Sequence, residues 1–140
     1  MATSFTVILD QQRHFGNQPD LFGNAPFAGP EAEFIFQCPN IDLREDSILM
    51  FQARHVSHEE NVFLVNGRQV FGGLPVSPTR GSAEESGWNS NVLIINQARH
   101  SLQETGNRLF IRSLDSGGGT SGNRDDFVVD NIVILYKSRI

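Results

Sequence analysis

The sequence predicts an all-β fold, a single β-sandwich of about eight strands, on three observations. Apolar residues alternate with polar ones or come in short runs; clusters of Gly, Pro, Asn, Asp and Ser interrupt the runs at intervals of roughly ten to twenty residues; and no helical period extends beyond one or two turns.

Taken in order, the expected strands are Phe5 to Leu9, Glu33 to Gln37, Ser47 to Val56, Asn61 to Asn66 with a short partner at Gln69 to Phe71, Asn91 to Asn96, Arg108 to Leu114, and Phe127 to Tyr136. In the third of these, Ile48, Met50, Gln52, Arg54 and Val56 oppose Leu49, Phe51, Ala53 and His55. Both faces begin apolar and turn polar only at the far end, as expected of a central strand whose C-terminal end nears a rim. Asn66-Gly67 between apolar residues predicts a two-residue hairpin, because both central residues of a type I′ turn need positive φ. A single helical turn is expected around Ala98 to Glu104, ended by Gly106. Gly16 to Pro30, Pro75 to Asn89, His100 to Asn107 and Asp115 to Asp126 read as loops, and loops of this length in a compact domain usually carry function or lack order.

At 140 residues, with 39% hydrophobic residues and eleven Phe, the chain can bury one continuous core, and a single domain over residues 1–140 is expected. Its net charge of −5 argues against a phosphate-backbone partner. No apolar run approaches the roughly 20 residues of a spanning helix. The start, Met1-Ala2-Thr3-Ser4-Phe5, lacks a basic segment followed by a long apolar one, so a cytoplasmic location is expected, with export by another route left open. Cys38 is the only cysteine, which precludes an intrachain disulfide.

The most specific stretch runs Val62-Phe63-Leu64-Val65-Asn66-Gly67-Arg68-Gln69-Val70, then Trp88, Asn91-Val92-Leu93-Ile94-Ile95, Leu102, and Thr105-Gly106-Asn107-Arg108-Leu109-Phe110-Ile111-Arg112. It resembles the galactose-binding-like β-sandwich found as the sugar-binding domain of many glycoside hydrolases and as several carbohydrate-binding modules. In that family a strand ends in a VNG hairpin, an aromatic-bearing loop follows, and a G-N-x-L-x-I strand comes after a short turn. Asp125-Asp126-Phe127 through Leu135 is similar to the closing strand of such modules. The resemblance covers roughly residues 45 to 136 and implies a jelly roll; it bears on fold more than on function, since this fold hosts unrelated activities. Arg112 and Asp115 are separated by two residues, not the one found in the Arg-x-Asp signature of fucose-binding lectins, so fucose specificity does not carry over.

Several groups of residues are candidates for a site, each beside a plainer reading. Arg54, His55 and His58, with Glu59 and Glu60, gather at the end of the central strand. Arg bonds carboxylates or vicinal hydroxyls in bidentate fashion, and imidazoles three apart can ligate Zn²⁺ or Ni²⁺; a solvated strand end would look the same. Trp88 beside Asn89 would offer a stacking platform and a hydrogen-bonding neighbour for a sugar, or would pack under the sandwich edge. Arg112, Asn123 and Arg124 complete the candidate ligand-binding set. The loop from Asp115 to Asp126 has four glycines and acidic ends, so Asp115 and Asp126 are candidate donors for Ca²⁺, although the loop fits neither an EF-hand nor a P-loop and could simply connect two strands. Resemblance to carbohydrate-binding modules suggests a structural calcium where the last strand meets the N-terminal segment, which would involve Asp130 and Asp10. That calcium is the one cofactor the sequence brings into question.

Catalysis is not expected. Glu59-Glu60, Glu84-Glu85 and Asp125-Asp126 are adjacent pairs, whose side chains point to opposite faces of a strand and cannot act together on one bond. Cys38 has no nucleophile motif around it, and no G-x-S-x-G elbow is present. The leading expectation is a non-catalytic, lectin-like carbohydrate-binding module. The alternative is a structural or assembly subunit whose partner is a protein, including further copies of the chain, with no nucleic acid and no membrane span in either case.

Overall fold

In the computed structural model, residues 2–70, 72–77, 79–80, 82–115 and 124–139 are described, with backbone alone for 79–80 and 82–86. The described strands are β1 (Ala2–Leu9), β2 (Arg13–Phe15), β3 (Phe27–Gly29), β4 (Glu31–Phe36), β5 (Ser47–Arg54), β6 (Val62–Val65), β7 (Arg68–Gln69), β8 (Thr79–Arg80), β9 (Ser82–Ser86), β10 (Asn89–Ile95), β11 (Asn107–Arg112) and β12 (Phe127–Ser138); one short helix, α1 (Gln97–His100), follows β10. The larger sheet has the order β10-β5-β12-β2-β3, and β1 pairs with the second half of β12. The smaller sheet has the order β4-β11-β6-β7, and β8 and β9 form a separate ribbon. No described helix is long and apolar enough to cross a membrane.

The sheets face one another across a single cluster of buried side chains. Leu49, Phe51 and Ala53 of β5, Ile132, Ile134 and Tyr136 of β12, and Leu93 and Ile95 of β10 meet Phe63 and Val65 of β6 and Leu109 and Ile111 of β11. Phe51 and Phe63 stack across the interface at 5.1 Å between ring centroids. Each is essentially inaccessible to solvent, and truncating either to Ala would cost about 3–5 kcal/mol.

Each of the eight expected segments overlaps a strand, the one from Gln69 to Phe71 by Gln69 alone, and β5 is central, between β10 and β12. Asn66 and Gly67 have φ of 50° and 80°, the positive pair the hairpin requires, and join β6 to β7 with Val65 opposite Arg68. Phe71, expected to extend β7, lies outside the described residues.

Two expectations need correction. The stretches read as loops from Gly16 to Pro30 and from Pro75 to Asn89 contain β3, and β8 with β9. The parallel pair β2 and β3 is only three residues on each side and is tied by His14 N–H to Pro26 O at 2.8 Å and Gly16 N–H to Gly29 O at 2.9 Å; a segment that short has no visible alternation. The helix is ended by Ser101, in the left-handed region at φ 50°, and not by Gly106; Asn96 caps its start by accepting from Arg99 N–H at 3.0 Å. The two apolar faces of β5 are covered differently. Leu49, Phe51 and Ala53 are in the core, whereas Ile48 and Met50 are exposed on the outside of the sheet.

Candidate functional site

The polar end of β5 opens onto a cleft of about 710 Å³, lined from three separate segments: Gln18, Leu21 and Phe22; Arg54, His55 and Ser57; and Arg124, Asp125 and Asp126. Two neighbouring carboxylates hold the segments together. Asp125 Oδ2 accepts from Ser57 N–H at 3.0 Å, His58 N–H at 3.1 Å and Asn61 Nδ2 at 2.8 Å, and Asn61 Oδ1 accepts from Leu114 N–H at 2.7 Å. Asp126 Oδ1 accepts from the Asn17 and Gln18 amides, each at 3.1 Å, and meets His14 Nε2 at 2.7 Å. The adjacent aspartates diverge, as neighbours at a strand end do, and each clamps a different loop. Both are buried and occupied in structural bonds.

His14 is fully buried, with the Phe22 and Phe27 rings edge-on at 4.6 and 4.9 Å. Phe22 also stacks on His55, at 4.7 Å and 23° between planes. One aromatic side chain of the Gly16 to Pro30 loop therefore joins the buried histidine to the one in the cleft. Gly16 makes the close approach of this loop feasible: its φ is 143°, and a Cβ there would overlap the Asp126 carboxylate.

His55 itself sits at φ 63°, where a side-chain-bearing residue is uncommon and which turns the chain out of β5. Its burial, and then the charge of Arg54, push the imidazole below its ordinary pKa of 6.5, so at neutral pH it is uncharged and can both donate and accept. The Arg54 guanidinium lies 5.0 Å from the Trp88 ring centroid and 6.0 Å from that of Phe22. Its Nε is buried with no hydrogen-bond partner among the described residues. Arg124 spends Nη1 on Ser113 O at 2.7 Å, with Nη2 3.9 Å from Asp115.

Of the residues expected at a binding site, Arg54, His55 and Arg124 converge on the cleft, and Trp88 joins them through Arg54. His58 contributes its backbone amide while its side chain is exposed. Asn89 lies within β10 and donates from Nδ2 to Asn91 Oδ1 at 3.4 Å. Arg112 is elsewhere: it lies on the outside of the smaller sheet, 5.1 Å from the Phe110 ring and 3.6 Å from Glu31, because the alternation along β11 turns it away from the core. Asn123 lies outside the described residues.

Among the described residues, no three of His, Cys, Asp and Glu gather as ligands for a metal ion. Asp126 serves the loop clamp, Asp115 pairs with Arg124, Asp130 accepts from Asn131 N–H at 2.7 Å, and Asp10 is exposed just past β1. Sequence reasoning missed Phe22, Leu21, Gln18, Ser57 and the part Asp125 plays in the cleft. The only signal for the first three was an apolar pair, Leu21-Phe22, within a long loop.

The chain is thus an all-β, two-sheet protein with an aromatic-walled, arginine-bearing cleft at one end of its larger sheet. Compared with known protein families, curated proteins and solved structures, it matches none.

Proposed function

We propose that the chain is a non-catalytic, lectin-like carbohydrate-binding module on a jelly-roll scaffold of the galactose-binding-like kind, with the cleft as its sugar site. The observation that carries this reading is the placement of Arg54 against Trp88 and Phe22, beside the uncharged His55. An aromatic face takes the C–H face of a pyranose, a guanidinium donates to two vicinal hydroxyls, and a neutral imidazole serves a hydroxyl in either sense. The cleft volume of about 710 Å³ is in the range of ~300–1,000 Å³ that suits small ligands. Asp125 and Asp126 hold loop amides in place, a role that favours binding over acid–base chemistry.

A glycan array probed with the pure protein, with and without Ca²⁺, tests the reading, and calorimetry of the best glycan with Arg54→Ala tests the site. At least tenfold weaker binding by the variant is expected. An array on which no glycan binds refutes the function, and a variant that binds like the parent moves the site elsewhere.

A further inference from the structure

The two outer faces of the protein are built differently. Outside the smaller sheet, Arg108 pairs with Glu33 at 2.6 Å and Arg112 with Glu31 at 3.6 Å, with Ile35, 61% exposed, an aliphatic set among these ion pairs. Outside the larger sheet, strand register lays down two uncharged rows across four strands: Phe5, Leu135, Ile48 and Ile94, then Val7, Val133, Met50 and Val92. Phe5 is 68% exposed, Ile94 61% and Val92 60%. Directly opposed residues of antiparallel strands point to the same face, so the rows form one continuous patch.

At its edge is a hollow. The pairing of β12 with β5 slips between Asp130 and Val133, and next to this bulge lies a depression of about 300 Å³ whose lining includes Met50, Gln52, Ser90, Asn131 and Val133.

We propose that this face is the dimer interface of the protein, occupied by a second copy of the same chain, with Phe5 of each copy seated in the hollow of the other. Three observations select a second copy. A knob and a hole on one face are self-complementary, as a two-fold interface requires, because if Phe5 meets the hollow then the hollow meets Phe5. The patch is mostly aliphatic and β-branched, the composition that packs sheet on sheet, and the lysine in the row beside it, Lys137, is bonded to Thr3 at 2.9 Å. Its area also reaches what a dimer needs: the six exposed side chains Phe5, Val7, Ile48, Met50, Val92 and Ile94, 41–68% exposed and ~150–200 Å² each, leave about 550 Å² open per copy, so that full burial in two copies covers about 1,100 Å², at the ~1,000 Å² expected of a specific interface.

Sedimentation equilibrium of the intact protein over a concentration series, on the parent, Phe5→Asp, Val92→Glu and a control, Arg108→Glu on the opposite face, tests this. The expected result is a mass twice the 15.6 kDa of the chain for the parent and the control, and single-chain mass for the two patch variants. A parent that stays monomeric, or patch variants that dimerise like it, overturns the proposal. If the patch variants do not fold, the parent alone decides: a mixed-isotope sample should show intermolecular contacts between Phe5 ring protons and the Met50 and Val133 methyls, and their absence overturns the proposal. None of these outcomes depends on whether a glycan binds.

Discussion

His14 Nε2 and Asp126 Oδ1 meet at 2.7 Å across 112 positions of sequence, the imidazole fully buried and the carboxylate nearly so. The contact ties β2 to the start of β12 and fixes the inner edge of the cleft. The same oxygen takes the Asn17 and Gln18 amides, so removing it leaves the buried His14 ring and two part-buried amides without this partner at once. Asp126→Ala should cost about 3 kcal/mol, with a fall in melting temperature of roughly 10 °C, and urea titration should show it.

Gly16 answers to the same carboxylate. Gly16→Ala combines an unfavourable φ with a Cβ inside the Asp126 side chain and should cost more than about 2 kcal/mol. Gly23, at φ 55°, is the control: an added Cβ there would have no neighbouring atom within 4 Å, and Gly23→Ala should cost about 1 kcal/mol or less. Equal losses in thermal denaturation would show that backbone conformation alone, and not the contact with Asp126, governs Gly16.

Cys38 is buried, and desolvation raises its thiol pKa from 9.0 to about 12. In the folded protein the thiol stays protonated, and a thiol-specific disulfide reagent at pH 8 should label it only after denaturant is added. Because the folded pKa is the higher one, this group's stabilising contribution is complete below pH 9, declines as the unfolded thiol ionises, and levels off above about pH 12. Cys38→Ser or Cys38→Ala should flatten that alkaline decline in a denaturation series.

Asp42 presents the opposite sign. Hydrogen bonds from the Arg44 side chain and then from its backbone amide lower the carboxyl pKa from 3.8 to about 2. Its contribution is full above pH 3.8 and is lost as pH falls through about 2. In Arg44→Ala, the Asp42 carbon resonance should titrate above about 2 but below 3.8, because the backbone amide of residue 44 still donates to the carboxylate, and a midpoint still near 2 would assign the shift to groups other than the Arg44 side chain.

The sequence by itself determined the local features of this protein: all-β character from alternation and punctuation, the Asn66-Gly67 hairpin from the need for positive φ, and β5 as a central strand with a polar end at a rim. Arg54, His55 and Arg124 were legible as site candidates because charged and aromatic residues at strand ends and in loops stand out against an apolar pattern. Tertiary structure alone decided the rest. Phe22 became a wall of the cleft through a loop held by Asp126 more than a hundred residues away, and Arg112 was turned outward by the register of β11. The short parallel pair β2 and β3 has no pattern of its own and exists through its pairing with distant β12. Likewise, alternation marks Ile48, Met50, Val92 and Ile94 as apolar, but only packing decides which face of a sheet is covered. Local conformation depends on neighbouring residues, whereas burial and convergence depend on contacts between segments far apart in the chain.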